Sequence, residues 1–376
     1  MATVIVSLAG CSDRPTPGRS APDGPITVTT SDSTCAVSVA RVPSGRHTFD
    51  VNNASSQVSE VYVYAAGDRI MGEVENVGPS THRPLIVDLP AGSYQVACKP
   101  GMVGLGIRTP LTVTGVTGPP QSLDQQLVAA VASYRTYVEN ETQALVDTTG
   151  DLTTAVKSGD VTRAKAAYPP ARLHYERIEP IAESFGGLDP LIDMRADDVT
   201  PTTPFAGFHA LEQQLFARNS LDDTSRLADA LLANTHKLAE LVKQVEITPL
   251  TMGNGAKSLL DEVAKSKVTG EEERYSRIDL LDFAGNVDGA KYVYSALRPA
   301  LQARDQELVS TLDKRFVALE NLLATHRTTA SSPEQIAGSP YQSYDRLTPD
   351  QIKALAVEVD TISEPLGHIS AVVAGG

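Results

Sequence analysis

His209 and Glu212 stand three residues apart in the run Gly207-Phe208-His209-Ala210-Leu211-Glu212. On a helix that spacing points both side chains the same way, and an imidazole with a carboxylate is a donor pair for a first-row metal ion. Further oxygen donors precede them: Glu176, Glu179, Glu183, Asp189 and Asp193. If Tyr168 to Glu183 is one helix, Glu176, Glu179 and Glu183 fall at i, i+3 and i+7 and share a face. Like charges so aligned repel by only roughly a few tenths of a kcal/mol per pair when solvated, so an exposed acidic stripe is the competing reading. Phe208 and Leu211 argue that the His209 helix is buried. A buried carboxylate one turn from an imidazole needs a partner, and a metal serves both groups. A His-x-x-Glu pair with separate carboxylates also recurs in di-iron bundles. The His-Glu-x-x-His helix of zinc peptidases, two imidazoles one turn apart with a glutamate base between them, is absent from the sequence.

Such donors have to be held by helices. Beyond Ser122 apolar residues recur at helical spacing over 123–147, with Ser122 as N-cap, and again over 221–245, 249–265 and 348–374. Leu297, Leu301, Leu308, Leu312, Phe316, Leu319 and Leu323 keep one apolar stripe and predict a single long helix, kinked or opened at Pro299. Residues 122–376 therefore predict an all-α domain of two helical bundles packed together. Residues 26–115 read differently. Short β-branched runs at 26–28, 37–39, 48–51, 61–64, 85–87, 94–97 and 111–113, separated by Pro/Gly/Ser/Asp turns, predict a β-sandwich. Residues 116–121 break both periods and read as a linker. The expected fold is thus multidomain α and β, an N-terminal β-sandwich followed by a double helical bundle.

The chain of 376 residues carries 32 Lys+Arg and 46 Asp+Glu, a net charge of −14. Residues 1–119 hold 8 basic against 9 acidic residues, which leaves 24 against 37 for the remainder, so nearly all the negative charge lies in the helical part. An acidic body repels phosphate backbones and attracts cations, which excludes nucleic acid as a partner. At the other end, Leu8-Ala9-Gly10-Cys11 matches the bacterial lipoprotein box, in which the cysteine is lipidated and becomes the mature N-terminus. No Lys or Arg precedes it, so the true start is expected upstream; a chance cysteine is the alternative. Residues 1–25 are read as a signal remnant and a Pro/Gly/Ser tether. No other segment approaches the roughly 20 apolar residues of a membrane helix.

Several long motifs in the helical part carry a family resemblance. Ala171-Arg172, the run from Glu183 to Arg195, Gly207-Phe208-His209 to Glu212, and the run from Arg274 to Ala290 closely resemble the iron-uptake lipoproteins of the imelysin-like (EfeM/EfeO) family. That resemblance implies metal binding by His209 and Glu212, with Glu176, Glu179 and Asp193 as additional ligands. Glu273 and Asp282 are left between ligation and a structural role such as pairing with Arg274 or Arg277. The N-terminal region is similar to the cupredoxin-like domain of full-length members, at Cys35, Glu60, the Gly72 to Val77 segment and the Tyr94 to Met102 loop. The resemblance implies copper at Cys35, Cys98, Glu60 and Met102, or a second iron at Glu73 and Glu75, as an aid to oxidising ferrous iron. The domain's histidines are His47 and His82, neither in that loop, so a His₂Cys copper site is not supported. Outside the cytoplasm a Cys35–Cys98 disulfide is the alternative.

The function implied is an extracytoplasmic, membrane-anchored or periplasmic protein that captures iron, as Fe3+ or Fe2+ with zinc a possible surrogate. It would deliver the iron to a membrane permease, EfeU, alongside a haem peroxidase, EfeB, and would not itself be an enzyme. A metallopeptidase is the competing class, because imelysin-like proteins have also been described as peptidases. With Glu212 spent as a ligand, the sequence offers no evident base for that chemistry.

Overall fold

A computed structural model describes residues 24–65, 70–101, 105–115, 125–200, 203–265, 267–328 and 336–375. Cys11, Met102, the cap at Ser122 and the 116–121 linker lie outside these residues. The described residues form nine strands followed by ten α-helices.

The strands are β1 (Ile26–Thr30), β2 (Cys35–Val37), β3 (Arg41–Pro43), β4 (Gly45–Asn53), β5 (Ser59–Tyr64), β6 (Ile70–Val77), β7 (His82–Leu89), β8 (Gly92–Pro100) and β9 (Ile107–Thr114). They make two sheets, in the orders β2-β1-β4-β7 and β3-β9-β8-β5-β6. Valines and leucines from both, with Phe49, fill the space between. In β5 the alternation sends Val61 and Val63 inward, while Tyr62 and Tyr64 stack on each other outside. Lys99 and Arg108 lie over those two rings, and their stems cover what would otherwise be exposed aromatic surface. The sequence pattern missed β3 and β6: the first is three residues long, and Gly72 interrupts the second.

The helices are α1 (Gln125–Lys157), α2 (Val161–Glu176), α3 (Glu179–Glu183), α4 (Pro190–Asp193), α5 (Gly207–Glu212), α6 (Thr224–Val242), α7 (Pro249–Lys265), α8 (Asp279–Arg304), α9 (Gln306–Ala324) and α10 (Pro349–Ala374). α1 packs on α2 and α6, α7 on α10, and α10 on α9; α8 touches members of both groups. One apolar core runs through all of them.

Two helix expectations need correction. The stripe from Leu297 to Leu323 is not one helix, because the chain breaks at Asp305, whose carboxylate accepts a hydrogen bond from Leu308 N at 2.8 Å and caps α9. Pro299 is not the break; α8 runs through it. The acidic helix is also interrupted. α2 stops at Glu176 and α3 starts at Glu179 with Pro180 in its first turn, since a proline has no N–H to continue the ladder.

The two parts meet along α7 and at the end of α10. Ser258 Oγ donates to Glu73 Oε1 of β6 at 3.0 Å, Asn254 Nδ2 to Ile86 O of β7 at 3.1 Å, and Arg46 of β4 reaches Ala374 O at 2.7 Å. Burial pushes the Glu73 carboxyl up to about 7 against the pull of the Ser258 bond.

Candidate metal centre

Backbone constraints place the candidate donors. Gly207 opens α5 with φ +75°, and a Cβ there would meet Ile192 O at 2.1 Å. Only glycine allows that approach, which sets His209 against Asp193 at the end of α4. All six residues of α5 are buried. The helix runs on as a π-helical turn, Gln213–Ala217, whose Gln213 Nε2 donates to Tyr275 Oη at 2.9 Å. From the other side Gly285 of α8 lets α2 come close: a Cβ there would lie 2.6 Å from Glu176 Cβ. The segment 270–279 closes the chamber with Glu272 and Glu273, and α8 adds Asp279 and Asp282, all buried.

His209 sits among four carboxylates. Its Nδ1 is 3.3 Å from Glu212 Oε2 and 3.8 Å from Glu273 Oε1. Its Nε2 is 3.5 Å from both Asp193 Oδ1 and Glu272 Oε1, ion-pair contacts longer than a good hydrogen bond. Glu212 is fixed by the backbone, since Oε1 accepts from the N–H groups of Tyr275 and Ser276 at 2.7 Å each. Glu273 accepts from Tyr168 Oη at 3.1 Å and from Ser276 Oγ at 2.5 Å. One donor atom each from Asp193, His209 and Glu272 lies within 4.8 Å of the others, and the same holds for His209, Glu212 and Glu273.

Three fixed cations are built into this chamber. Arg172, wholly buried, pairs with Glu176 and Asp193, reaches Glu273 at 3.0 Å and Asp282 at 2.9 Å, and lies 3.7 Å from Glu272. Phe208 flanks the guanidinium at 5.2 Å. Lys267, also wholly buried, pairs with Glu176, with Glu179 at 3.0 Å and with Asn286 Oδ1 at 2.8 Å. Arg195 pairs with Glu272 and, at 2.9 Å, with Glu262. Carboxylates in this chamber, among them Glu176, Glu179, Asp193, Glu212, Glu272, Glu273, Asp279 and Asp282, thus clearly outnumber its cations. Burial of unbalanced charge is costly, and the proton affinities show it. Burial and then Glu176 push Glu179 well up; burial, Glu212 and Asp282 do the same to Glu273. For Glu272 the cations Arg195 and Lys267 outweigh burial and hold it well below the usual range. Burial would lower His209, but Asp193, Glu212 and Glu272 outweigh it and hold the imidazole well above 6.5.

The chamber opens through a cavity of about 340 Å³ lined by Glu179, Glu183, Asp189, Asp193, Arg195 and Glu262. Burial and the neighbouring Asp193 push Asp189 up to about 7. Carboxylates thus dominate the wall of this cavity.

The structure brings His209, Glu212, Asp193, Glu176, Glu179, Glu273 and Asp282 to one place. Sequence reasoning missed Glu272, Arg172, Lys267 and Glu262. For Glu272 the signal was the acidic triplet Glu271-Glu272-Glu273 ahead of Arg274; Lys267 carries no local mark.

The β-sandwich corrects the copper expectation. Cys35 of β2 and Cys98 of β8 are joined in a disulfide, S–S 2.03 Å, across the two sheets. Sulfurs so bonded have no thiolate to offer copper. Glu60 is buried, accepts a hydrogen bond from Tyr62 Oη at 3.1 Å and forms an ion pair with Lys99 Nζ at 3.6 Å. Glu73 faces α7 instead of a sandwich pocket. Met102 and the Glu75 side chain lie outside what is described. Among the described residues the donor groupings all fall in the helical part.

A helical body around a buried His-x-x-Glu chamber defines a class, and the comparison with known families gives it a name. The Imelysin family model (Peptidase M75) matches residues 130–368, more than half of the chain, and the chain belongs to this family. At the level of individual proteins, it is 35% identical over 351 residues to the iron uptake system component EfeO of Yersinia pestis, covering 93% of this chain and 91% of that one. It is 34% identical over 354 residues to the component of the same name from Escherichia coli O6:H1, with coverage of 93% and 91%.

Proposed function

We propose that this chain is the iron-binding component of an extracytoplasmic uptake system: it captures iron in the helical chamber and delivers it to a membrane permease. The observation that carries this reading is the gathering of His209, Asp193 and Glu272, one donor atom from each lying within 4.8 Å of the others around the buried imidazole. Donors so gathered from three separate segments are placed to share one cation. The donor set, one imidazole nitrogen and hard carboxylate oxygens, suits ferrous or ferric iron and tolerates zinc or manganese. We take Asp193, His209 and Glu272 as the core of the site, with Glu212, Glu273, Glu176 and Glu179 around it. The relatives' name as iron uptake components supports the cargo. The same proposal includes a permease of the EfeU type and a haem peroxidase of the EfeB type as partners, anchoring through Cys11, and residues 26–115 and 122–376 as separate units. No helix among the described residues is long and apolar enough to cross a membrane, so membrane attachment rests on lipidation in this reading. Metal analysis of protein purified from iron-replete cells should find iron in wild type and little in a Glu272→Gln, His209→Ala double variant; equal loading would remove the site.

The family's peptidase designation supports a second reading. A metallopeptidase needs a free carboxylate as base beside the metal-bound water. Glu212 is occupied on both oxygens, by two backbone N–H groups and by His209. Zinc-dependent casein cleavage abolished by His209→Ala would favour the peptidase over the carrier.

A further inference from the structure

Arg172 and Lys267 are expensive residues to bury, because a guanidinium and an ammonium lose their hydration and regain it only from well-placed partners. Their partners are the candidate ligands themselves. Arg172 holds Asp193 and Glu176, Lys267 holds Glu176 and Glu179, and Arg172 lies 3.7 Å from Glu272. The pairing is also incomplete. Glu272 Oε1 meets His209 Nε2 and the Arg172 guanidinium only at the long distances of 3.5 and 3.7 Å, and Asp282 Oδ1 accepts no hydrogen bond. A pair built only to hold the fold together would use up its acceptors; here two fixed charges neutralise part of the acidic excess and leave donors open.

Resting on the metal-site reading above, we infer that Arg172 and Lys267 are resident counter-cations that compete with the arriving metal for its own ligands. In the empty chamber they hold Asp193, Glu176 and Glu179 together against mutual repulsion. When a metal ion settles between Asp193, His209 and Glu272, Asp193 is shared away from Arg172. On release the guanidinium takes it back. Uptake and release are then an exchange of one cation for another, which keeps the empty chamber folded and the affinity low enough for hand-over.

The test uses the full chain with Zn2+ as probe. Arg172→Gln and Lys267→Met should each lower the melting temperature of the metal-free protein, show a larger rise on saturation than wild type, and bind Zn2+ at least tenfold more tightly by calorimetry. Folded variants that bind with wild-type or weaker affinity overturn the inference while leaving the metal site standing. A wild type that binds no Zn2+ in the chamber overturns both. Should neither variant fold, the ¹⁵Nε–H resonance of Arg172 in wild type decides: it should shift on Zn2+ titration in step with site filling, and a stationary signal contradicts the exchange.

Discussion

His209 is where one residue's chemistry carries the account. Its folded-state proton affinity is raised by Asp193, Glu212 and Glu272 despite burial. The sign follows from linkage. A raised histidine contributes stability that is fully present below its unfolded value, about 6.5, and is lost as pH climbs through the folded value. The buried acids Glu179, Glu273 and Asp282 are also raised, burial being the first cause in each, and they act in the same direction. The melting temperature of the metal-free protein should therefore fall as pH rises above about 6.5. Metal binding needs the neutral imidazole, so affinity should rise over the same interval and saturating Zn2+ should flatten the stability slope. Melts between pH 6 and 9, with and without Zn2+, check both; metal-free stability that climbs over this range would contradict the assignment. The residues that sequence reasoning missed are instructive at this scale. Buried Arg172 and Lys267 look in a single sequence like any solvated charge, and nothing local to residue 267 says that Glu176 and Glu179 lie against it. His209 and Glu212 were legible because their spacing alone aligns them.

Among the elements, short helices held by glycines position the donors. Gly207 shows this most sharply, since a Cβ would collide with Ile192 O in a positive-φ position. Gly207→Ala should cost on the order of 2–3 kcal/mol in denaturant unfolding, and the displaced α5 should also lose at least tenfold in Zn2+ affinity. A variant with unchanged stability and affinity would mean that α5 does not depend on this contact. Most helices were readable from their apolar spacing, and α7 matched residue for residue. The failures were local. The apolar stripe stays in phase across Asp305, so periodicity could not see a break made by a side-chain cap. The restart at Glu179 was written in Pro180, yet both halves still converge on Lys267 and Asn286. That convergence is tertiary and has no sequence signature.

In the whole molecule, a disulfide-tied sandwich rests on the face of an acidic helical body. The Cys35–Cys98 bond closes a separation of 63 residues between the sheets. Reduction should destabilise the sandwich by about 2–5 kcal/mol while leaving Zn2+ affinity in the helical chamber within twofold. A matching loss of affinity would show that the sandwich takes part in binding. The overall division, β then α, was plain from the change of period near residue 115 and from the charge asymmetry. The contact along α7, where half-buried Glu73 meets Ser258, was not, because it joins residues 185 apart in sequence. The central claim is that one buried chamber around His209 receives the metal. Calorimetric titration of full-length protein with Fe2+ under anaerobic conditions, wild type against His209→Ala, tests it most directly. Wild type should bind saturably, and the variant should bind at least tenfold more weakly, a loss of about 1.4 kcal/mol. Equal affinity in the two proteins would contradict it.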